Sequence, residues 1–260
     1  MIVTFWTEIS VAATLVFVVF GAAEIGRRVG LRHHRLDPDA ARPQLGTIQA
    51  SILGLLALLL GFNFSGAAAR FIDRQDLMVD EANAIGTAWL RADLLDEPAR
   101  GDYRKLLREY VDNRLLLSKS GDLPSIEAGL QTAERLQARM WSVAVDGVKN
   151  AKGRELSVLP PLNETIDLHA KRLSAAQRHA PRPVTALIVA CAAIAIGSVG
   201  YGGGVAAERG RALTVVLAVL VVATLWVTID LDHPREGLIR ISPAPLEALQ
   251  RTLAAGETSG

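Results

Sequence analysis

Four long apolar segments constrain this 260-residue chain more than any other feature of its sequence. They cover residues 2–23, 45–69, 184–206 and 212–229, and Glu8 is the only acidic or basic residue inside them. A bilayer core about 30 Å thick is spanned by about 20 residues of helix at 1.5 Å rise per residue. The segments therefore predict four transmembrane helices, arranged as two pairs.

Composition supports a membrane protein that also has a polar part. Half of the residues are hydrophobic, yet 21% are charged, so the two kinds must be segregated along the chain. The single cysteine, Cys191, excludes an intrachain disulfide. A formal net charge of +1 argues against a dedicated nucleic-acid binder, which needs a basic excess to displace counterions from phosphates. We expect no nucleic-acid partner.

The first apolar segment has a rival interpretation as a secretory signal peptide. Such a peptide begins with cationic residues, whereas residues 1–10 contain no lysine or arginine and do contain Glu8. The segment is therefore expected to be a retained membrane helix.

The residues between the second and third segments follow helical periodicity, without strand-like alternation. The second transmembrane helix should continue to Pro98, a further helix should cover residues 98–118, and Ser125 should cap the next. A fourth should begin near Pro161 and end at the prolines at 181 and 183. After the last span, a short amphipathic helix should extend from residue 242 to 253, and residues 256–260 should fray.

The predicted fold class is thus all-α, an integral membrane protein with four transmembrane helices and a helical-bundle insert between the second and third. The predicted parts are the first helix pair with a basic loop (1–65), the insert (66–182), the second helix pair (183–230) and a tail (231–260).

Candidate residues for catalysis or metal binding are few, so we expect no enzyme and no bound cofactor. Cys191 lies among alanines in the third span and is expected to pack there. His33, His34, Asp37 and Asp39 carry side chains that could bind a metal ion. However, adjacent histidines near Pro38 have no helical register that converges on one ion. Neither His169 nor His179 has a cysteine or carboxylate at a distinctive ligand spacing.

The sequence Ser-Val-Gly-Tyr-Gly at 198–202 is close to a potassium-channel selectivity filter. A filter would follow a re-entrant helix, whereas an uninterrupted apolar run of spanning length precedes this motif. The favoured interpretation is that Gly197, Gly200 and Gly204 form a small-residue packing surface.

A more informative motif follows the second span. Leu60-Gly61-Phe62 is followed eight residues later by Arg70-Phe71, and in this respect the chain resembles the bestrophin ion-channel family, including its bacterial bestrophin-like group. Further pieces of the resemblance extend it over residues 45–246. They are the run at 80–85 that contains Glu81 and Asn83, Tyr110 with Arg114, Asn163 with Asp167, and the motif at 230–237.

The resemblance implies a homopentameric ion channel in the bacterial inner membrane, with the insert and both termini in the cytoplasm. Its partners would be the lipid bilayer and inorganic ions. The second span would line the axis with an apolar neck, in which Phe62 matches the innermost aromatic and Leu58 lies one turn earlier. Gly54, the third position, departs from the family because it lacks a bulky ring.

Two alternatives remain open at this point. Spacing of four places Gly54, Leu58 and Phe62 on one helix face, and that face could equally pack against a neighbouring helix. The protein could also be a non-conducting membrane scaffold or sensor whose insert binds a partner, since family resemblance does not guarantee a pore.

Charged residues beside the spans form a second group of interest. Arg70, Arg74 and Glu81 fall near one face of the helix and could form a buried charge network. Asp230 and Asp232 lie where the resemblance implies a calcium-binding turn. Asp230 and Asp232 are therefore a possible cation site, with calcium as the candidate ion, although two aspartates make a poor cage for it. The favoured expectation is that they end the helix and pair with Arg70, Arg74 or Arg235, with Glu236 nearby.

Overall fold

The computed structural model describes residues 2–36, 42–149, 153–206, 211–234 and 237–255. These residues form eight α-helices and one short 3-10 helix, and they contain no strand. Four helical stretches are long and apolar enough, by length and composition, to cross a membrane. The prediction of an all-α chain with four long apolar helices is confirmed.

The helices follow one another in this order: α1 (Ile2–Leu36), α2 (Arg42–Arg91), α3 (Ala99–Lys119), α4 (Leu123–Val148), α5 (Glu155–Gln177), α6 (Arg182–Val205), α7 (Ala212–Asp232) and α8 (Ala244–Ala255). The 3-10 helix, Ala92–Leu94, follows α2. At 35 and 50 residues, α1 and α2 are much longer than a bilayer requires.

Several predicted helix ends are corrected by the structure. Helix α2 ends at Arg91 rather than at Pro98. Asp122, not Ser125, is the N-cap of α4, and its Oδ2 accepts a hydrogen bond of 3.0 Å from the Ser125 backbone N–H. Helix α5 begins at Glu155, because its first turn forms ahead of the prolines at 160 and 161, with the Val158 N–H donating to the Arg154 carbonyl at 2.9 Å.

The chain divides into two compact units. The first, Met1–Phe71 with His179–Arg240, is called the apolar unit here; the second, Ile72–Arg178 with Ile241–Gly260, is called the polar unit. The boundary inside the long second helix falls between Phe71 and Ile72.

Within the apolar unit, α1 packs closely along α6. A Cβ atom built on Gly26 would overlap the carbonyl oxygen of Gly197, and one built on Gly200 would overlap that of Ala23. Only glycine permits so close an approach of two helix backbones. Leu15, Val19 and Ile196 complete this core.

The motif at 198–202 lies inside the continuous helix α6. Gly197, Gly200 and Gly204 all face the backbone of α1. The packing interpretation of these glycines is therefore confirmed, and a selectivity filter is excluded, because a filter requires extended backbone with its carbonyl groups directed into a pore.

The polar unit has a conventional hydrophobic core. Its largest fully buried side chains include Tyr103, Tyr110, Met140 and Leu162, which come from α3, α4 and α5. Helix α8 joins this core through Leu246 and Leu253, which explains the amphipathic pattern of the tail.

Candidate functional site

The outer face of α2 is the first candidate site. Leu58 is 55% exposed and Phe62 is 70% exposed, although both are large apolar side chains. Gly54 is also exposed, and nothing lies within 4 Å of a Cβ atom built on it. Gly61, in the same motif, is equally open. The predicted stripe is thus a continuous exposed face.

The opposite side of α2 carries the contacts that hold it in the apolar unit. Leu56 is 2% exposed and Ala67 is fully buried. Ala67 lies nine residues after Leu58, about two and a half turns, and so points away from it. In the described part of the chain no helix covers the face of Leu58 and Phe62, so packing against a neighbouring helix of the same chain does not explain it.

Hydroxyl groups flank the apolar band on this face. Ser51 and Ser65 lie seven residues before and after Leu58, and both are exposed. The Ser51 hydroxyl donates to the Thr47 carbonyl at 3.0 Å. The exposed face therefore changes from polar to apolar and back to polar within four turns of helix.

The aspartates after the fourth span hold the chain in place. Asp230 accepts hydrogen bonds from the backbone N–H groups of Leu238 and Ile239 at 2.9 and 2.8 Å. Asp232 accepts from Arg70 Nε at 2.6 Å and from the Ala180 N–H at 2.7 Å. All four carboxylate oxygens thus accept from the protein itself.

This arrangement matches the expected end of α7 at Asp232 and its pairing with Arg70. Arg74 instead donates to the carbonyl oxygens of Ala175 and Arg178, at 3.0 and 2.5 Å. The predicted partner Arg235 and the nearby Glu236 lie outside the described residues. The aspartates therefore tie the end of α7 to Arg70 and to the segment before α6.

Glu81 is the centre of a buried charge cluster in the polar unit. Its side chain is fully buried, and its carboxylate is paired with Arg114 of α3, whose Nε lies 3.0 Å away, and with Arg172 of α5. The sequence grouped Glu81 with Arg70 and Arg74. The structure supplies different arginines, because Arg74 is two helical turns away, about 10 Å along the axis.

Tyr110 completes this cluster. Its hydroxyl donates to Glu81 Oε1 at 2.9 Å and accepts from Gln137 Nε2 at 3.2 Å, while His169 Nδ1 lies 3.4 Å away. Burial, together with the neighbouring Glu81, raises the pKa of the Tyr110 phenol well above its ordinary value. The phenol therefore stays a neutral donor.

The cluster joins α2, α3, α4 and α5 through polar contacts, which makes it a structural centre of the polar unit. Other family-motif residues lie outside it: Asn83 and Asp167 are exposed, and Phe71 is half-buried. The sequence pattern indicated Arg114 only as part of a motif, and it did not indicate Arg172 as a partner of Glu81.

The histidines named from the sequence lie in separate parts of the structure. His33 Nδ1 lies 2.6 Å from the Tyr201 hydroxyl, whereas Asp37 and Asp39 lie outside the described residues. The structure instead brings together His179, Asp232 and His233, whose potential ligand atoms lie within 4.8 Å of one another. The sequence could have indicated this proximity. The connection between α6 and α7 is short, so the start of α6 must lie near the end of α7.

Comparisons with known proteins agree with the all-α membrane fold described above. The family model for the bestrophin-like domain matches residues 13–246. A crystal structure of a bacterial bestrophin homologue from Klebsiella pneumoniae, solved as a mutant, superposes with a TM-score of 0.69 at 13% sequence identity. The match covers 93% of this chain and 98% of that one, and at this identity it shows a shared fold. No curated protein matches the sequence. On the breadth of the family match, the chain belongs to the bestrophin-like family.

Proposed function

We propose that this protein is a homo-oligomeric ion channel of the inner membrane, in which α2 of each subunit faces the symmetry axis. The observation that carries the proposal is the uncovered face of α2, where Leu58 and Phe62 are exposed on the side opposite Leu56 and Ala67. The family resemblance favours a pentamer. Ions would cross without a catalytic step.

A ring of these faces would form a short apolar neck. Leu58 and Phe62 are one turn apart, so their rings would be separated by about 6 Å along the axis. A narrow apolar constriction resists the passage of hydrated ions because it offers them no polar ligands and dewets readily. Gly54 leaves the adjoining turn wide, and Ser51 and Ser65 would offer hydroxyl groups to water on either side.

The family resemblance also favours a cytoplasmic location for residues 66–182 and for both termini. Gly121, which is exposed between α3 and α4, offers a place for a reporter. A reporter at Gly121 should be inaccessible from outside intact cells. Labelling from outside alone would reverse the proposed orientation.

The first test is the number of subunits in the purified protein, measured by native mass spectrometry in mild detergent and in lipid nanodiscs. One helix per subunit encloses a pore only in a ring of several copies. We expect a pentamer. A monomer or dimer under all conditions would contradict the channel and would favour a scaffold or sensor whose polar unit binds a partner.

The second test is ion flux in planar bilayers or liposomes. Leu58→Ala and Phe62→Ala should each raise the conductance several-fold, because a smaller side chain widens the neck and lowers the dewetting barrier. Phe17→Ala is the matched control, since Phe17 is 80% exposed on α1 of the same unit. Equal conductance in all three variants and the wild type would refute a neck at Leu58 and Phe62.

A further inference from the structure

His169 is the only histidine of the polar unit, and histidine is the side chain whose charge ordinarily changes near neutral pH. It lies on α5, outside the four apolar segments, and it is 6% exposed. Its ring is tilted by 57° to the ring of Tyr110, with the two centroids 6.5 Å apart. His169 is thus a buried member of the Glu81 cluster, and the proposed channel mechanism does not involve it.

Hydrogen bonds in the cluster define the tautomer of the neutral His169 ring. The Tyr110 hydroxyl has one proton, which it donates to Glu81 Oε1 at 2.9 Å. His169 Nδ1 lies 3.4 Å from the same hydroxyl oxygen and can therefore only donate to it. The proton of the neutral ring is thus on Nδ1, and Nε2 has the lone pair. Among the described residues, no group forms a hydrogen bond with the buried Nε2.

The surroundings of His169 disfavour a second proton on its ring. The charged groups that act on it come from all four helices of the cluster: Glu81 on α2, Arg114 on α3, Glu134 on α4 and Arg172 on α5. Glu134 is exposed, so water screens its charge, and two guanidinium groups are left beside one buried carboxylate. Burial, followed by the charge of Arg114, lowers the pKa of His169 below its ordinary value of 6.5.

We propose that His169 is an acid-sensitive latch of the polar unit, whose protonation releases α5 from α2 and α3. The charged ring is a third cation beside the single buried carboxylate of Glu81, and separation of the helices gives it water as a partner. The opened form takes up the proton at a higher pH than the closed form does. The closed form therefore loses stability as the pH falls below about 6.5, and the loss ends below the pKa of His169 in the closed form.

The test is hydrogen–deuterium exchange, read by mass spectrometry, on the full-length wild-type protein in detergent between about pH 7.5 and 5. Dividing each rate by the intrinsic amide rate at the same pH gives the opening equilibrium of each segment. For an opening that takes up one proton, the opening constant of α5 should rise by up to about tenfold per pH unit below 6.5. Ordinary carboxyl groups titrate near pH 4, below this range.

The matched variant is His169→Asn. The asparagine amide nitrogen can replace ring Nδ1 as the donor to Tyr110, but it cannot take up a proton in this range. The opening constant of α5 in this variant should not depend on pH. His33→Asn is the control, because His33 contacts Tyr201 in the apolar unit, and it should keep the pH dependence of the wild type.

Two results would overturn the proposal: an opening constant of α5 that does not change with pH in the wild type, or the same pH dependence in His169→Asn as in the wild type. If the asparagine variant does not fold, the wild-type profile still decides, because the polar unit has no second histidine. None of these results depends on ion conduction.

Discussion

The two units of this protein accommodate unusual side chains by different means. In the apolar unit Phe62 is 70% exposed, while in the polar unit Glu81 is fully buried. Exposed apolar surface costs little in lipid, so helices there gain their contacts from close backbone approach at glycines. The polar unit has an ordinary hydrophobic core and tolerates a buried carboxylate only because two arginines and a tyrosine satisfy it. Helix α2 contributes to both units, since Phe62 and Glu81 both belong to it.

The largest effect on stability should come from Glu81→Ala. The variant leaves Arg114 and Arg172 without their shared carboxylate in the interior, which costs about 3–5 kcal/mol of unfolding free energy. Denaturation in detergent, followed by circular dichroism, measures the loss. Asp80→Ala is the control, because Asp80 is the exposed neighbour of Glu81 and its removal should change stability little. Equal effects would mean that the cluster contributes no more than the surface does.

An intermediate effect is expected for Gly200→Ala in the apolar unit. The added methyl group overlaps the Ala23 carbonyl oxygen, and relieving it must move one helix backbone, at a cost of about 1–3 kcal/mol. Gly203→Ala is the matched control on the same helix, since nothing lies within 4 Å of its Cβ position. Thermal unfolding of both variants should separate them. If Gly203→Ala were the more harmful, the α1–α6 interface would be misplaced.

The smallest effect should come from Asp122→Ala at the start of α4. The hydrogen bonds from Ser125 lower the pKa of the Asp122 carboxyl below its ordinary value of 3.8. A lowered folded pKa means that the stabilisation is present above pH 3.8 and is lost as the pH falls through the folded value. The variant should therefore unfold at a slightly lower temperature than the wild type at pH 7, and the difference should shrink in acid. A difference that grows in acid would contradict the cap.

Local patterns in the sequence predict much of this fold. Long apolar runs with almost no charge identify the four apolar helices, because their length is a direct requirement of the bilayer. The exposed stripe of Gly54, Leu58 and Phe62 follows from helical spacing of four. Cap positions were predicted less well. Asp122 and Ser125 are both favourable N-cap residue types, so residue type alone does not show at which of them the chain turns into the helix.

Partners that are distant in the sequence could not be predicted in this way. Arg172 lies 91 residues from Glu81, and His179 lies 53 residues from Asp232. Charged residues are common on helices, so no spacing rule selects Arg114 and Arg172 over Arg70 and Arg74 as partners of Glu81. Only the packing of α3 and α5 against α2 makes that selection.

The sequence by itself determined the helical class, the four apolar spans and the motifs by which the family can be recognised, because each is a property of neighbouring residues on one helix. The tertiary structure decided which face of α2 remains uncovered, which arginines neutralise Glu81 and which histidines meet at Asp232. These depend on contacts between helices, and such contacts form only when the whole chain has folded.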